Sequence, residues 1–161
     1  SGHKDPIFGK EKILSELEKF VGKFDETEKK ILRELRKVVR KEITIEDLSR
    51  YLFLESRSLK TPSALQKIPK DFYPKLRLLI KRLKTKLSKE FNMRALEEYH
   101  KIERYSMEII RSRLSKIIAA IQSPIELREV IERMTPEERA LYVFLRETIN
   151  YWVERVVGIK V

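Results

Sequence analysis

Apolar residues recur along this chain at separations of three and four, the spacing of an amphipathic helix, and the breaks between runs carry helix start and stop signals. A first helix is predicted over about residues 10–21, with Ile13, Leu14, Leu17, Phe20 and Val21 on one face and a stop near Gly22. Asp25 caps a second over about 26–41, whose apolar positions are Ile31, Leu32, Leu35, Val38 and Val39. Thr44, with Asp47 three residues on, opens a third that carries Ile45, Leu48, Leu52 and Phe53. The pattern then lapses between about 56 and 69, which predicts a loop holding Pro62 and Pro69.

Pro74 suits the first turn of a fourth helix reaching about residue 89. Asn92 caps a long fifth that ends near Gln122, about 45 Å at 1.5 Å per residue. Ser123-Pro124-Ile125-Glu126 reads as a capping box with proline at the first helical position, opening a short sixth helix. Thr135-Pro136-Glu137-Glu138 repeats the device for a seventh that ends at Gly158. With no internal repeat and no convincing strand, the pattern predicts an all-α fold: a bundle of about six to seven helices with one long central helix.

Glycine supports this. None of the four lies between residues 23 and 157, yet phosphate-cradling loops and tight hairpins need glycine for close approach and positive φ. Cysteine is absent and only His3 and His100 offer imidazole, which disfavours disulfides, thiolate metal sites and His-based catalysis. No cofactor is expected. No apolar run approaches the length of a membrane span and no secretory signal is visible, so the expected location is cytoplasmic. Ser1-Gly2-His3 resemble the remnant of tag cleavage and are set apart from the fold. Few amides beside abundant Lys, Arg, Glu and Ile suit a thermophile.

Most carboxylates stand three or four residues from a Lys or Arg, as solvated ion pairs do. Glu103 is the exception. It falls within the stripe Leu96, Tyr99, Met107, Ile110, Leu114, Ile117 and Ile121 of the fifth helix, predicting a buried acid paired with an arginine or tyrosine across a helix contact. His100 sits at the edge of the same stripe as a core or boundary residue. No enzyme is predicted.

The net charge of +11 is unevenly spread. Between residues 67 and 90 nine Lys or Arg face only Asp71 and Glu90, a local charge of +7. The fourth helix presents Lys75, Arg77, Lys81, Arg82, Lys84 and Lys86 beside an apolar arc of Leu76, Leu79, Ile80, Leu83 and Leu87. This basic surface suits nucleic-acid phosphates or an acidic partner, or serves solubility alone. The aromatic residues do not interleave with it as a stacking platform would.

Two helices are apolar on more than one face. The fifth has a second stripe, Ile102, Tyr105, Ile109 and Ala120, interrupted by Lys116. The seventh flanks its main face of Leu141, Leu145, Ile149, Trp152 and Val156 with Phe144 and Tyr151. With few helices to cover both stripes, Ile102, Tyr105, Ile109, Phe144 and Tyr151 are expected at a subunit interface.

Leu65-Gln66-Lys67-Ile68-Pro69-Lys70-Asp71-Phe72-Tyr73 resembles the Leu-Gln-x-hydrophobic-Pro-x-Asp-Phe-Tyr signature of the helical domain of GINS subunits, the replicative-helicase cofactor of archaea and eukaryotes. The Leu- and Lys/Arg-rich helix that follows is similar too, as are the run from Ile109 to Ile117 and the final Met134-Thr135-Pro136-Glu137-Glu138. In physical terms Pro69 sets the chain direction, Asp71 caps, and Phe72 and Tyr73 pin the loop to the next helix.

The resemblance is to the class with its helical domain first. It implies an N-terminal helical segment over 4–45, the GINS-like domain over 46–158, and at 159–161 the start of a linker to a small β domain, in a truncated or proteolysed chain. The helix over 10–21 exceeds the family pattern and leaves a lineage-specific extension or a different family open for residues 1–45. What the resemblance implies functionally is a non-catalytic, nucleoid-associated archaeal scaffold. It would join other GINS subunits in a tetramer and meet the MCM helicase and a RecJ-like protein. The rival from another class is a stand-alone basic helical protein that binds DNA.

Overall fold

The computed structural model describes residues 42–57 and 59–161 throughout, and Glu11, Lys12, Ser15, Glu16, Glu18, Lys19, Phe20, Glu26, Lys29, Lys30 and Arg33 individually. The chain divides into two compact units, Ser1–Lys41 and Glu42–Val161. In the first, the individually described residues are all helical, and apart from half-buried Phe20 all are exposed. The predicted apolar faces of the first two helices fall mainly on residues outside the described ones.

The second unit contains five α-helices: α1 Ile45–Arg57, α2 Phe72–Lys89, α3 Met93–Ile121, α4 Arg128–Arg133 and α5 Pro136–Val157. A single 3₁₀ turn, Pro62–Ala64, punctuates the loop between α1 and α2. Every regular element among the described residues is helical, as the periodicity requires.

Caps decide most boundaries. Thr44 and Asp47 satisfy each other's backbone N–H at the start of α1, at 2.9 and 3.2 Å. The Asn92 side chain accepts from the N–H groups of Arg94 and Ala95 to open α3. Thr135 and Glu138 form a reciprocal capping box on α5. Gly158 ends that helix at φ 77°, a left-handed conformation that a Cβ would strain.

Two caps act differently from expectation. Ser123-Pro124-Ile125-Glu126 does not open a helix: α4 starts at Arg128, with Leu127 as its N-cap and no side-chain cap bond. The Ser123 hydroxyl instead accepts from the Ile125 N–H at 3.4 Å, a local turn that competes with helix. Asp71 occupies the N-cap position of α2 but makes no side-chain cap bond, and its carboxylate pairs with Lys75 at 3.4 Å. The helix accordingly begins at Phe72, two residues before Pro74.

The long helix α3 is the spine. Along one stripe it buries Ile102, Ser106, Ile109, Ser112, Arg113, Lys116, Ile117 and Ala120, at the three- and four-residue spacing of an inward face. The first part of this stripe joins Ile43, Leu48, Ile68, Phe72, Leu76 and Leu83 in one apolar cluster. The last part joins Leu65, Val130, Met134 and Tyr142 in another. The second stripe predicted on this helix is therefore the inward one. Ile102 and Ile109, expected at a subunit interface, are 1% and 0% exposed within the chain's own core.

Of the stripe that carried more apolar bulk, Ile117 is buried and Leu96, Tyr99, Ile110, Leu114 and Ile121 are half-buried along the flank of the inward face, while Met107 is 41% exposed. Glu103 goes with it. Its side chain is exposed, as is that of His100 3.8 Å away, so Glu103 is not the buried acid its position on the wheel suggested. The reason is plain: the face that turns inward includes two charges and two serines, which a hydrophobicity wheel scores as solvent.

Ile102→Ala and Ile109→Ala should each cost about 2–5 kcal/mol, the range for truncating a fully buried isoleucine. Chemical denaturation should show that loss in dilute protein, unchanged by protein concentration.

Candidate functional site: a buried charge cluster and the surfaces around it

Between the two apolar clusters of α3 lies a layer of buried charge. Arg113, Lys116 and Glu55 are wholly buried and Glu138 is 4% exposed. Their four formal charges cancel. Isolated ions would not tolerate such burial, so the geometry has to supply partners.

Arg113 spends every N–H it has. Nε and Nη2 grip the two oxygens of Glu138 at 2.7 and 2.8 Å, a bidentate fork. Nη1 donates to Glu55 Oε1 and, at 2.6 Å, to the Gln66 carbonyl. The remaining Nη2 hydrogen reaches the Arg133 carbonyl at 3.3 Å. One guanidinium thus joins α1, the motif loop, the end of α4 and the first turn of α5.

The carboxylates are equally engaged. Glu55 takes Lys116 Nζ on Oε2 and the Gln66 N–H at 3.1 Å on Oε1. Its backbone carbonyl receives Lys116 Nζ at 3.0 Å and the Ser112 hydroxyl at 3.2 Å. Glu138 accepts the Tyr73 hydroxyl at 2.8 Å and closes its own capping box on Thr135 N at 2.9 Å. Burial alone would raise the pKa of Glu138, but the hydrogen bonds and charge of Arg113 prevail and hold it below the usual value. For Tyr73 burial and the Glu138 charge act together, and its hydroxyl is pushed well up and stays protonated.

The nonapeptide motif threads this cluster. Leu65, Ile68 and Phe72 are 1%, 3% and 1% exposed and fill the two apolar clusters. The Gln66 backbone serves Glu55 and Arg113, and its side-chain amide donates to the Ala64 carbonyl at 2.9 Å. The Pro69 carbonyl accepts the Phe72 N–H at 3.1 Å in the turn that opens α2. Tyr73 supplies the link to α5. Beside the motif, Lys70 Nζ donates to the Glu132 and Met134 carbonyls at 2.7 and 2.6 Å, tying the turn before α2 to the end of α4.

Of the basic surface, Arg77, Lys81, Arg82, Lys84 and Lys86 are exposed, while Lys75 is half-buried against Asp71. Arg82 pairs with Glu42. Tyr105 is half-buried against the first apolar cluster, with the Lys101 and Arg104 side chains over its ring. Phe144 is half-buried and Tyr151 is 51% exposed. The inward face of α5 is buried at Glu138 and Tyr142, yet the same stripe is 43%, 50% and 51% exposed at Ile149, Trp152 and Val156. That apolar stripe outruns what covers it. Among the described residues no group of His, Cys, Asp or Glu could hold a metal, and no helix is long and apolar enough to cross a membrane.

Arg113→Lys keeps the charge but loses the fork and most of the donors. It should lower the unfolding free energy by about 3–5 kcal/mol, as breaking a buried pair does, measurable by urea titration.

The neighbouring Glu137 behaves oppositely to Glu138. Both of its oxygens are buried without a hydrogen-bond partner, and burial, with the nearby Glu138 and Asp71 charges, raises its pKa. A raised carboxyl costs stability once pH exceeds its ordinary value. Glu137→Gln should therefore raise Tm at neutral pH, with the gain fading as pH falls through the glutamate range. Glu138→Gln should lower Tm at neutral pH, because the depressed carboxyl contributes stability that is lost only as acid reaches its folded pKa.

Neither the curated proteins nor the solved structures contain a significant match to this chain. The model of the GINS complex protein helical bundle domain (Sld5) matches residues 32–157, a span that holds the nonapeptide, the spine helix and all four members of the charge cluster. By that match, the chain belongs to the GINS complex protein family.

Proposed function

We propose that this protein is a non-catalytic scaffold subunit of the GINS complex, serving DNA replication by supporting assembly and activation of the MCM replicative helicase. Family membership carries the reading. Its proposed partners are the other GINS subunits in a tetramer, then the MCM helicase and a RecJ-like protein. The residues agree with such a role: Glu55, Arg113, Lys116 and Glu138 of the charge cluster are consumed by one another.

The subunit interface is proposed on α5. Ile149, Trp152 and Val156 carry the inward stripe beyond its cover, Tyr151 and Phe144 lie on a further face of the same helix, and the Trp152 and Tyr151 rings are each about half exposed. Such rings supply most of the energy in protein interfaces, and leaving them in water has a cost that a sister subunit removes. Tyr105 lies instead against the first apolar cluster, and Ile102 and Ile109 are committed to the internal core.

Light scattering of the purified chain, alone and with a co-expressed GINS partner, tests this. Trp152→Glu together with Tyr151→Glu should abolish assembly by at least tenfold in Kd while leaving the helical circular dichroism of the chain intact. Assembly that survives both reversals would remove α5 from the interface. Failure to co-purify with any GINS subunit or with the MCM ring would remove the scaffold reading.

A further inference from the structure

The second outward surface lies on α2 and the turn after it, and it does not depend on the scaffold reading. α2 contains no carboxylate in its 18 residues. Its apolar arc, Phe72, Leu76, Leu79, Ile80 and Leu83, packs against the spine. At 100° per residue, Lys81, Lys84, Thr85, Ser88 and Lys89 share the opposite side, and all five are exposed. Arg82 is taken by Glu42 and Lys75 by Asp71. No described carboxylate pairs with Lys81, Lys84 or Lys89.

Aromatic residues do not interleave with the lysines along α2, but the turn that follows adds one ring at its end. Asn92 caps α3 through its side chain, accepting from the Arg94 and Ala95 N–H groups at 2.9 and 3.4 Å, and this fixes the turn. The cap leaves Phe91 70% exposed and Met93 59% exposed beside Lys89 and Arg94. An exposed phenylalanine on a firmly capped turn has a hydration cost and no internal use. Across residues 81–98 six cations outnumber the three carboxylates Glu90, Glu97 and Glu98.

Unpaired lysines along a ridge, ending in an outward ring, are the two components that single strands require: cations for phosphates and a flat apolar face for a base. An acidic protein segment would use the lysines alone, since a convex helix offers its side chains no pocket. We propose that the outer face of the last turns of α2 and the α2–α3 turn bind single-stranded nucleic acid, with Lys81, Lys84 and Lys89 on phosphates and Phe91 stacked on a base.

Fluorescence anisotropy of the full chain with a labelled oligothymidylate tests this. Binding should weaken with salt at a log–log slope of about −2, the value for three phosphate contacts on a single strand. Lys81→Glu, Lys84→Glu and Lys89→Glu combined should reduce affinity by at least tenfold. Phe91→Ala should reduce it by about fivefold or more, and Phe91→Trp should restore it. All these positions are exposed, so unchanged circular dichroism will separate lost binding from lost fold. Absence of binding at low salt would overturn the proposal. So would a Phe91→Ala variant that binds normally while polyglutamate competes as well as the oligonucleotide, which would mark the ridge as a surface for an acidic protein. Subunit assembly has no bearing on any of these readouts.

Discussion

Arg113 is compatible with the interior of this protein only because Glu55 and Glu138 are there to meet it. A guanidinium stripped of water is among the most costly groups to bury, and each of its N–H donors left idle would add to that cost. Here none is idle. An apolar layer at the same level of α3 would accept any oily ridge that fitted its volume. Five directed donors accept a single arrangement: one carboxylate from α1, one from α5, one carbonyl from the loop before α2 and one from the end of α4. The gain lies in register more than in net free energy, because a fully matched buried pair roughly balances its own desolvation.

That register is what makes the outer surfaces dependable. α2 and α5 both lean on α3, and Tyr73 links one to the other through Glu138. With their inner sides fixed, the basic ridge of α2 and the apolar continuation of α5 are presented by rigid helices rather than by loops. The two surfaces also differ in chemistry. Residues 67–90 carry +7, whereas from Pro124 to Val161 six basic residues meet seven acidic ones. Charge and oil are thus allotted to separate helices, which keeps a sticky hydrophobic face away from an unscreened cationic one.

Much of this was legible from the amino-acid order. The reciprocal Thr44–Asp47 pair, the Asn92 cap, the Thr135–Glu138 box and the left-handed Gly158 each announce a boundary by local chemistry. The nonapeptide pointed to the family that the match over residues 32–157 shows. The charge cluster was not foreseen, because its members lie far apart in sequence and each resembles an ordinary surface charge. One signal was present: Arg113 and Lys116 lie on the same stripe as Ile102, Ile109 and Ala120, and have no acid four residues away on their own helix. Cations so placed must find carboxylates elsewhere. Ser123 misled for a related reason, since a short hydroxyl side chain serves a local turn as readily as a helix.

The cluster has a consequence for synthesis on the ribosome. Its contacts join residues 58 and 25 positions apart on either side of Arg113, so the acid of α1 leaves the exit tunnel long before its cation and the acid of α5 long after. Until the first turn of α5 emerges, the spine helix carries a guanidinium with half its partners missing and cannot close around it. Nascent chains halted before that point should stay open to chaperones and proteases, and the final fold should appear late and cooperatively, in one closing step rather than helix by helix.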